Sequence, residues 1–227
     1  MNRLRTIITA VTALIGLTAT AQTEIIALQE YDGVKAFDQI NVTLVESSEN
    51  KAVVTGDDVD EVKIVNNDGT LKIRMELDNF LDGNETEVTL YHTQEINMLD
   101  SNEGAKITSD NQIDSNYLVL NAQEGGTVNV AVNTTNLDVK AVTGGEVMAN
   151  GTAPNLEVVV RSGGEFSGKE LRAQQADVNV FAGGDAWVHA DEYVEATVTA
   201  GGTIEIFGNP ENVSKNKTFG GSIIVRQ

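Results

Sequence analysis

Between residues 118 and 206 aliphatic and polar residues alternate in short runs that recur. Glycine pairs begin at Gly125, Gly144, Gly163, Gly183, Gly201 and Gly220, at intervals of 19, 19, 20, 18 and 19 residues. Aligned on the first glycine of each pair, the apolar positions fall into columns. Seven residues before it stand Leu118, Leu137, Leu156, Ala176 and Val194; five before stand Leu120, Val139, Val158, Val178 and Ala196. Three before stand Ala122, Ala141, Val160, Val180 and Val198, and three after stand Val128, Val147, Phe166, Ala186 and Ile204. Residues spaced by two share one face of a strand. Each repeat therefore predicts two short strands, apolar face inward, with the glycine pair at the corner between them.

A fixed period in this range is the signature of a solenoid. Glycine tolerates positive φ and close backbone approach, which a recurring tight corner demands. The predicted fold is all-β: a right-handed parallel β-helix with coils of about 19 residues, right-handed because parallel crossovers almost always are. Neighbouring coils would stack strand on strand at roughly 4.8 Å, so like residues form ladders inside. An antiparallel sandwich also has regular turns, but its hairpins have no reason to keep one face pattern through five copies.

Outside the repeat the pattern is less regular. "INMLDSNEGAKITSD", Ile96 to Asp110, reads as a degraded coil with Gly104 at its corner. Residues 36–95 contain "INVTLVE", "KAVVTG", "VKIVNN", "LKIRMEL" and "EVTLYH", all strand-like, with Asn67-Asp68-Gly69 as a hairpin turn. This region is either opening coils or an antiparallel cap. A cap would protect the solenoid's open end, whose unpaired backbone invites edge-to-edge association. Residues 22–35 are expected to form a mobile arm, residues 78–86 a polar surface loop, and residues 96–227 the glycine-cornered coils.

Composition adds a location. Arg3 and Arg5 precede a short apolar run, Ile7 to Leu17, and Ala19-Thr20-Ala21 is a small-residue cleavage site. Residues 1–21 thus read as a secretory signal peptide, the apolar run being shorter than the roughly 20 residues of a spanning helix. Export to the periplasm, the outer surface or the medium follows, with no transmembrane segment. The chain has no cysteine, which excludes a lipid-anchored lipoprotein and any disulfide. The formal charge is −19, and loss of the two arginines with the leader deepens it. Such a surface disfavours nucleic acid and anionic lipid. With 41% hydrophobic residues the chain is nonetheless a folding one.

"AFDQINVTL", then "VVTGDDVDEVKIVNNDGTLKIRM", then the glycine-cornered coils, then "IEIFGNP" and "FGGSI" together resemble the DUF2807 family of auto-transporter adhesin head GIN domains, common among exported Bacteroidetes proteins. The resemblance spans about residues 34–225. It implies an exported β-helical protein with an adhesive role, and it brings no catalytic motif.

Candidate chemistry is sparse. The two histidines, His92 and His189, are far apart in sequence, and no phosphate-binding loop or Ser/His/Asp pattern is visible. No organic cofactor is called for. The residue after three successive glycine pairs is acidic, Glu146, Glu165 and Asp185. In stacked coils these would form a carboxylate ladder suited to a hard cation such as Ca²⁺, or simply a hydrated acidic face. Asp138, Glu157, Asp177 and Glu195 form a second such column. Phe181, Trp187 and Tyr193 are candidate glycan contacts, since an exposed aromatic ring stacks on a sugar ring. The reading that follows is a non-catalytic binding or adhesion protein presenting a rigid face to a protein or glycan of the cell envelope or a host surface. An open solenoid end permits oligomers. The alternative is a carbohydrate-active enzyme, a lyase or hydrolase, on the same scaffold.

Overall fold

The structure, a computed structural model, describes residues 22–56, 58–76 and 86–226. The leader and nearly all of the 78–86 loop lie outside the described residues. The N-terminal half contains β1 (Gln22–Ala27), β2 (Gly33–Ala36), β3 (Asn41–Glu46), β4 (Lys51–Gly56), β5 (Val62–Asn67), β6 (Thr70–Met75), β7 (Glu87–His92), β8 (Met98–Ser101) and β9 (Lys106–Ser109). The C-terminal half contains β10 (Ile113–Gln123), β11 (Thr127–Val142), β12 (Glu146–Thr152), β13 (Asn155–Arg161), β14 (Glu165–Phe181), β15 (Asp185–Thr199), β16 (Thr203–Phe207), β17 (Asn212–Thr218) and β18 (Ser222–Val225).

The strands build a solenoid of about seven turns, and from β10 onward they stack in parallel, two per coil. Leu118, Leu120 and Ala122 lie on Leu137, Val139 and Ala141. Those lie on Leu156, Val158 and Val160, then on Ala176, Val178 and Val180, then on Val194, Ala196 and Val198. Every one of these side chains is buried. The predicted columns are thus the dry interior, and each buried aliphatic contributes roughly 1.5–3 kcal/mol against the entropy of ordering the chain.

The corners show why glycine comes in pairs. Thr143 and Gly144 both take positive φ (50° and 72°), and the Gly145 N–H donates to the Val142 carbonyl at 2.9 Å. That is a type I′ turn, whose two central residues need left-handed backbone. Gly144 faces open space: a Cβ there would meet nothing within 4 Å. Gly145 is different, because a Cβ would lie 2.2 Å from the Ala122 carbonyl oxygen of the neighbouring coil. The first glycine answers to backbone conformation, the second to the closeness of the stack.

The N-terminal half uses the same rungs in a different chain order. β2 lies between β6 and β8, and β3 between β7 and β9, all parallel. The chain enters the stack at β2–β3, leaves it through β4 and β5, returns on the far side as β6–β7, then crosses to continue as β8–β9. The hairpin at Asn67–Thr70 forms as expected, with Asp68 and Gly69 at positive φ and β5 antiparallel to β6. β4 runs antiparallel to both β7 and β1. Opening coils and antiparallel cap are both present, interleaved.

Residues 22–35 depart from the expected arm. β1 pairs with β4 over its full length, from Gln22 opposite Gly56 to Ala27 opposite Lys51. Tyr31 is buried, its hydroxyl donating to the Tyr91 carbonyl at 3.0 Å, and β2 sits inside the stack. The segment has too few alternating positions to announce a strand; the free edge of β4 supplies the order.

Candidate functional site

Because successive rungs keep register, outward side chains stack as faithfully as inward ones. On the face built by β10, β11, β13, β14 and β15, two outward ladders run side by side. One reads Tyr117, Asn136, Asn155, Gln175 and Tyr193. The other reads Asp138, Glu157, Asp177 and Glu195. Together they line a groove of about 490 Å³ with the two tyrosines at its ends. Those tyrosines stand four rungs apart, about 19 Å at the usual strand spacing.

Hydrogen bonds fix parts of this surface. The Tyr117 hydroxyl donates to Asp138 Oδ2. This bond, then burial, then the charges of Asp138 and Glu157, raise the phenol's pKa above its ordinary value. Asn155 Nδ2 donates to Asn136 Oδ1 at 3.1 Å and to the Thr135 carbonyl at 3.2 Å. Asn179 Nδ2 donates to Asp177 Oδ1 at 2.8 Å. Among the described residues no lysine or arginine lines the groove, and none of its four carboxylates is in an ion pair. Both tyrosines are well exposed, Tyr117 at 46% and Tyr193 at 39%. The groove therefore offers aromatic faces at its ends and a row of donors and acceptors between them.

Glu146, Glu165 and Asp185 stand in register on three adjacent coils. The Glu165 carboxyl is held above its usual pKa by burial, then by the charges of Glu146 and Asp185, with Lys169 opposing. A ladder contributes one carboxylate per rung, so the three run along the axis instead of converging. Among the described residues no group of three or more His, Asp or Glu side chains is placed to hold one metal ion.

The three aromatics do not form one platform. Phe181 and Trp187 flank the corner at residues 182–184, so the turn puts them on different faces. Phe181 stacks with Arg161 and Thr199 and borders a shallow depression of about 430 Å³. Trp187 stacks between Ser167 and Glu205, with the Lys169 amine 5.0 Å from its ring centre. Only Tyr193 reaches the groove. Its counterpart Tyr117 escapes a reading of the glycine-aligned columns that stops seven residues before the pair. Both tyrosines and the three amides stand eight before it. His92 bonds through Nδ1 to the Gln94 carbonyl at 2.8 Å, and His189 pairs with Arg172.

A model of the DUF2807 family, "Putative auto-transporter adhesin, head GIN domain", matches residues 30–210. Among solved structures the chain is similar to a "putative adhesin" of Bacteroides fragilis, at 20% identity and TM-score 0.80, over 92% of this chain and 98% of that one. It is similar to a "putative adhesin" of Parabacteroides merdae, at 14% identity and TM-score 0.70, over 92% and 97%. It is also similar to a "putative lipid binding protein" of Parabacteroides distasonis, at 19% identity and TM-score 0.69, over 92% and 98%. At these identities the likeness establishes a common fold. No curated protein matches the chain in sequence.

Proposed function

The chain belongs to the DUF2807 family of adhesin head GIN domains, and from that premise we propose that it is an exported, non-catalytic binding protein that uses one face of its solenoid to hold a glycan of the cell envelope or a host surface. The observation that carries this reading is the groove running from Tyr117 to Tyr193. It lies along a parallel sheet whose every rung is pinned by a full hydrogen-bonded neighbour, so the contact groups are pre-positioned and little order is lost on binding. A sugar ring can stack on each tyrosine face. The amides of Asn136, Asn155 and Gln175 supply donors and acceptors, and the carboxylates accept from hydroxyls. A neutral or cationic glycan suits the site; an anionic one meets four uncompensated carboxylates.

Glycan-array binding of the wild type and of the double variant Tyr117→Ala/Tyr193→Ala tests this. Each lost stacking partner is worth on the order of 1 kcal/mol, as for other aromatic contacts, so about a tenfold or greater loss is expected with the melting temperature little changed. Equal binding by the two proteins removes the groove from the function. Release of reducing ends from an envelope polysaccharide by the wild type would replace the adhesive reading with the carbohydrate-active enzyme.

A further inference from the structure

The two ends of the solenoid are finished differently. At the N-terminal end the rung β6–β7 is flanked by antiparallel β5 and β4, and β4 by β1. At the C-terminal end β17 pairs with β15 and β18 with β16. Among the described residues no strand pairs with the other edge of that last rung.

The apolar columns change there. Lys215 stands in register with Ala196, and Lys217 with Val198. Every earlier rung from β10 onward has a buried aliphatic or alanine at these two positions. The neighbouring inward sites keep the pattern: Val213 lies on Val194, Ile223 on Ile204 and Val225 on Ile206, and all three pack against the core. The rung beneath is fully buried at Val194, Ala196, Val198, Ile204 and Ile206, so the last rung covers it. A long alkyl stem can do this while its ammonium stays in water. Lys217 Nζ donates to the Gly221 carbonyl at 3.2 Å. Lys215 is exposed and in no ion pair among the described residues. Beside them the end is otherwise adhesive, with Phe219 at 88% exposure on the last corner.

A rung with a free edge is a template for another chain of the same spacing. The partner with matching spacing is a second copy, whose own last rung would meet it about a two-fold axis, strands antiparallel. That pairing would bury four ammonium groups against one another with no counter-charge. We propose that Lys215 and Lys217 close the free edge of the β17–β18 rung against a second copy of this chain. The closure is independent of the groove and of what it binds.

Sedimentation velocity and light scattering on the purified chain decide the matter. The wild type should be free of end-to-end dimer. Lys215→Thr/Lys217→Thr, which keeps strand propensity and solubility without charge, should dimerise at least tenfold more tightly than the wild type. Lys215→Glu/Lys217→Glu should stay as the wild type, since like charges still face each other. Lys215→Val/Lys217→Val should associate further, to dimers or to insoluble aggregate. The proposal is overturned by a threonine variant that melts cooperatively and does not dimerise, or by a wild type that already pairs through β17, read by cross-linking at Asn216→Cys.

Discussion

The rungs of residues 113–225 and those of residues 22–109 stack alike, but they are joined by different means. In the first region stacked residues are 17 to 20 apart in sequence, as Arg172 on His189, Leu137 on Leu156 and Glu165 on Asp185 show. In the second, Gly33 lies beside Met98 and Asn41 beside Lys106. A local corner sets register in the first region: once one coil turns, the next has nowhere else to lie. A corner alone cannot specify a partner some sixty residues away. The N-terminal half adds directional polar contacts instead. Lys35 Nζ meets Asp100 Oδ2 at 2.9 Å, and Asn102 Nδ2 donates to the Asp100 carbonyl at 3.1 Å, to Asp100 Oδ1 at 3.2 Å and to the Ala36 carbonyl at 3.4 Å. Buried Asp38 accepts the Met75 N–H at 2.9 Å through Oδ2. Directional polar contacts of this kind discriminate against slipped pairings more sharply than aliphatic contact does, because a slipped register strands a buried polar group without its partner.

The sharpest break of the regular region is at its corner. Gly145→Val should cost about 4 kcal/mol or more, enough to unfold the coil stack, because its Cβ collides with backbone that cannot move. Gly144→Ala, one residue away in open space, should cost only about 1–2 kcal/mol for the left-handed backbone. Urea melts of the two variants check this, and equal losses would mean that the two glycines do not have separate roles.

Next in size comes a matched pair across the regions. Leu120→Ala leaves a cavity in an aliphatic column and should cost about 2–4 kcal/mol. Asp100→Ala leaves the Asn102 amide short of an acceptor and Lys35 without its partner. It should cost about 2–3 kcal/mol, with Lys35 able to turn toward water because its side chain is 38% exposed. The distinguishing measurement is rescue. Asp100→Asn should recover part of the loss, whereas no polar residue should recover the Leu120 site.

The smallest effect is on pH dependence, with one carboxyl in each region. Glu103 is held above its usual pKa by burial first, then by its hydrogen bond to Asp38 and the charges of Asp38 and Glu124, with Lys72 opposing. Glu165 is raised as described above. A carboxyl with a raised folded pKa binds its proton more tightly in the native state. Its contribution is therefore full below the ordinary glutamate pKa and is lost as pH rises through the folded value. Melting temperatures of the wild type should decline as pH rises above the ordinary glutamate pKa, and those of Glu103→Gln/Glu165→Gln should decline less. Parallel curves would show that neither carboxyl is a source of the slope.

Where the glycine pairs recur, the columns of apolar residues are legible directly, and so is the stacking of Glu146, Glu165 and Asp185. Tyr193 is legible as a binding candidate, but its grouping with Phe181 and Trp187 is not, because the corner between those two turns them to different faces. Tyr117 carries a signal that appears only when the outward column eight residues before each pair is read alongside the inward ones.

The sequence by itself determined the coil: its length, its inward columns and the conformation of its corners are local properties repeated often enough to be read. Only the tertiary structure decided how the N-terminal half interleaves, with β2–β3 seated between β6–β7 and β8–β9 and with β1 ordered on β4. Pairing across so many residues is selected by burial and by a few buried polar contacts among distant segments, and neither leaves a periodic trace in the segments themselves.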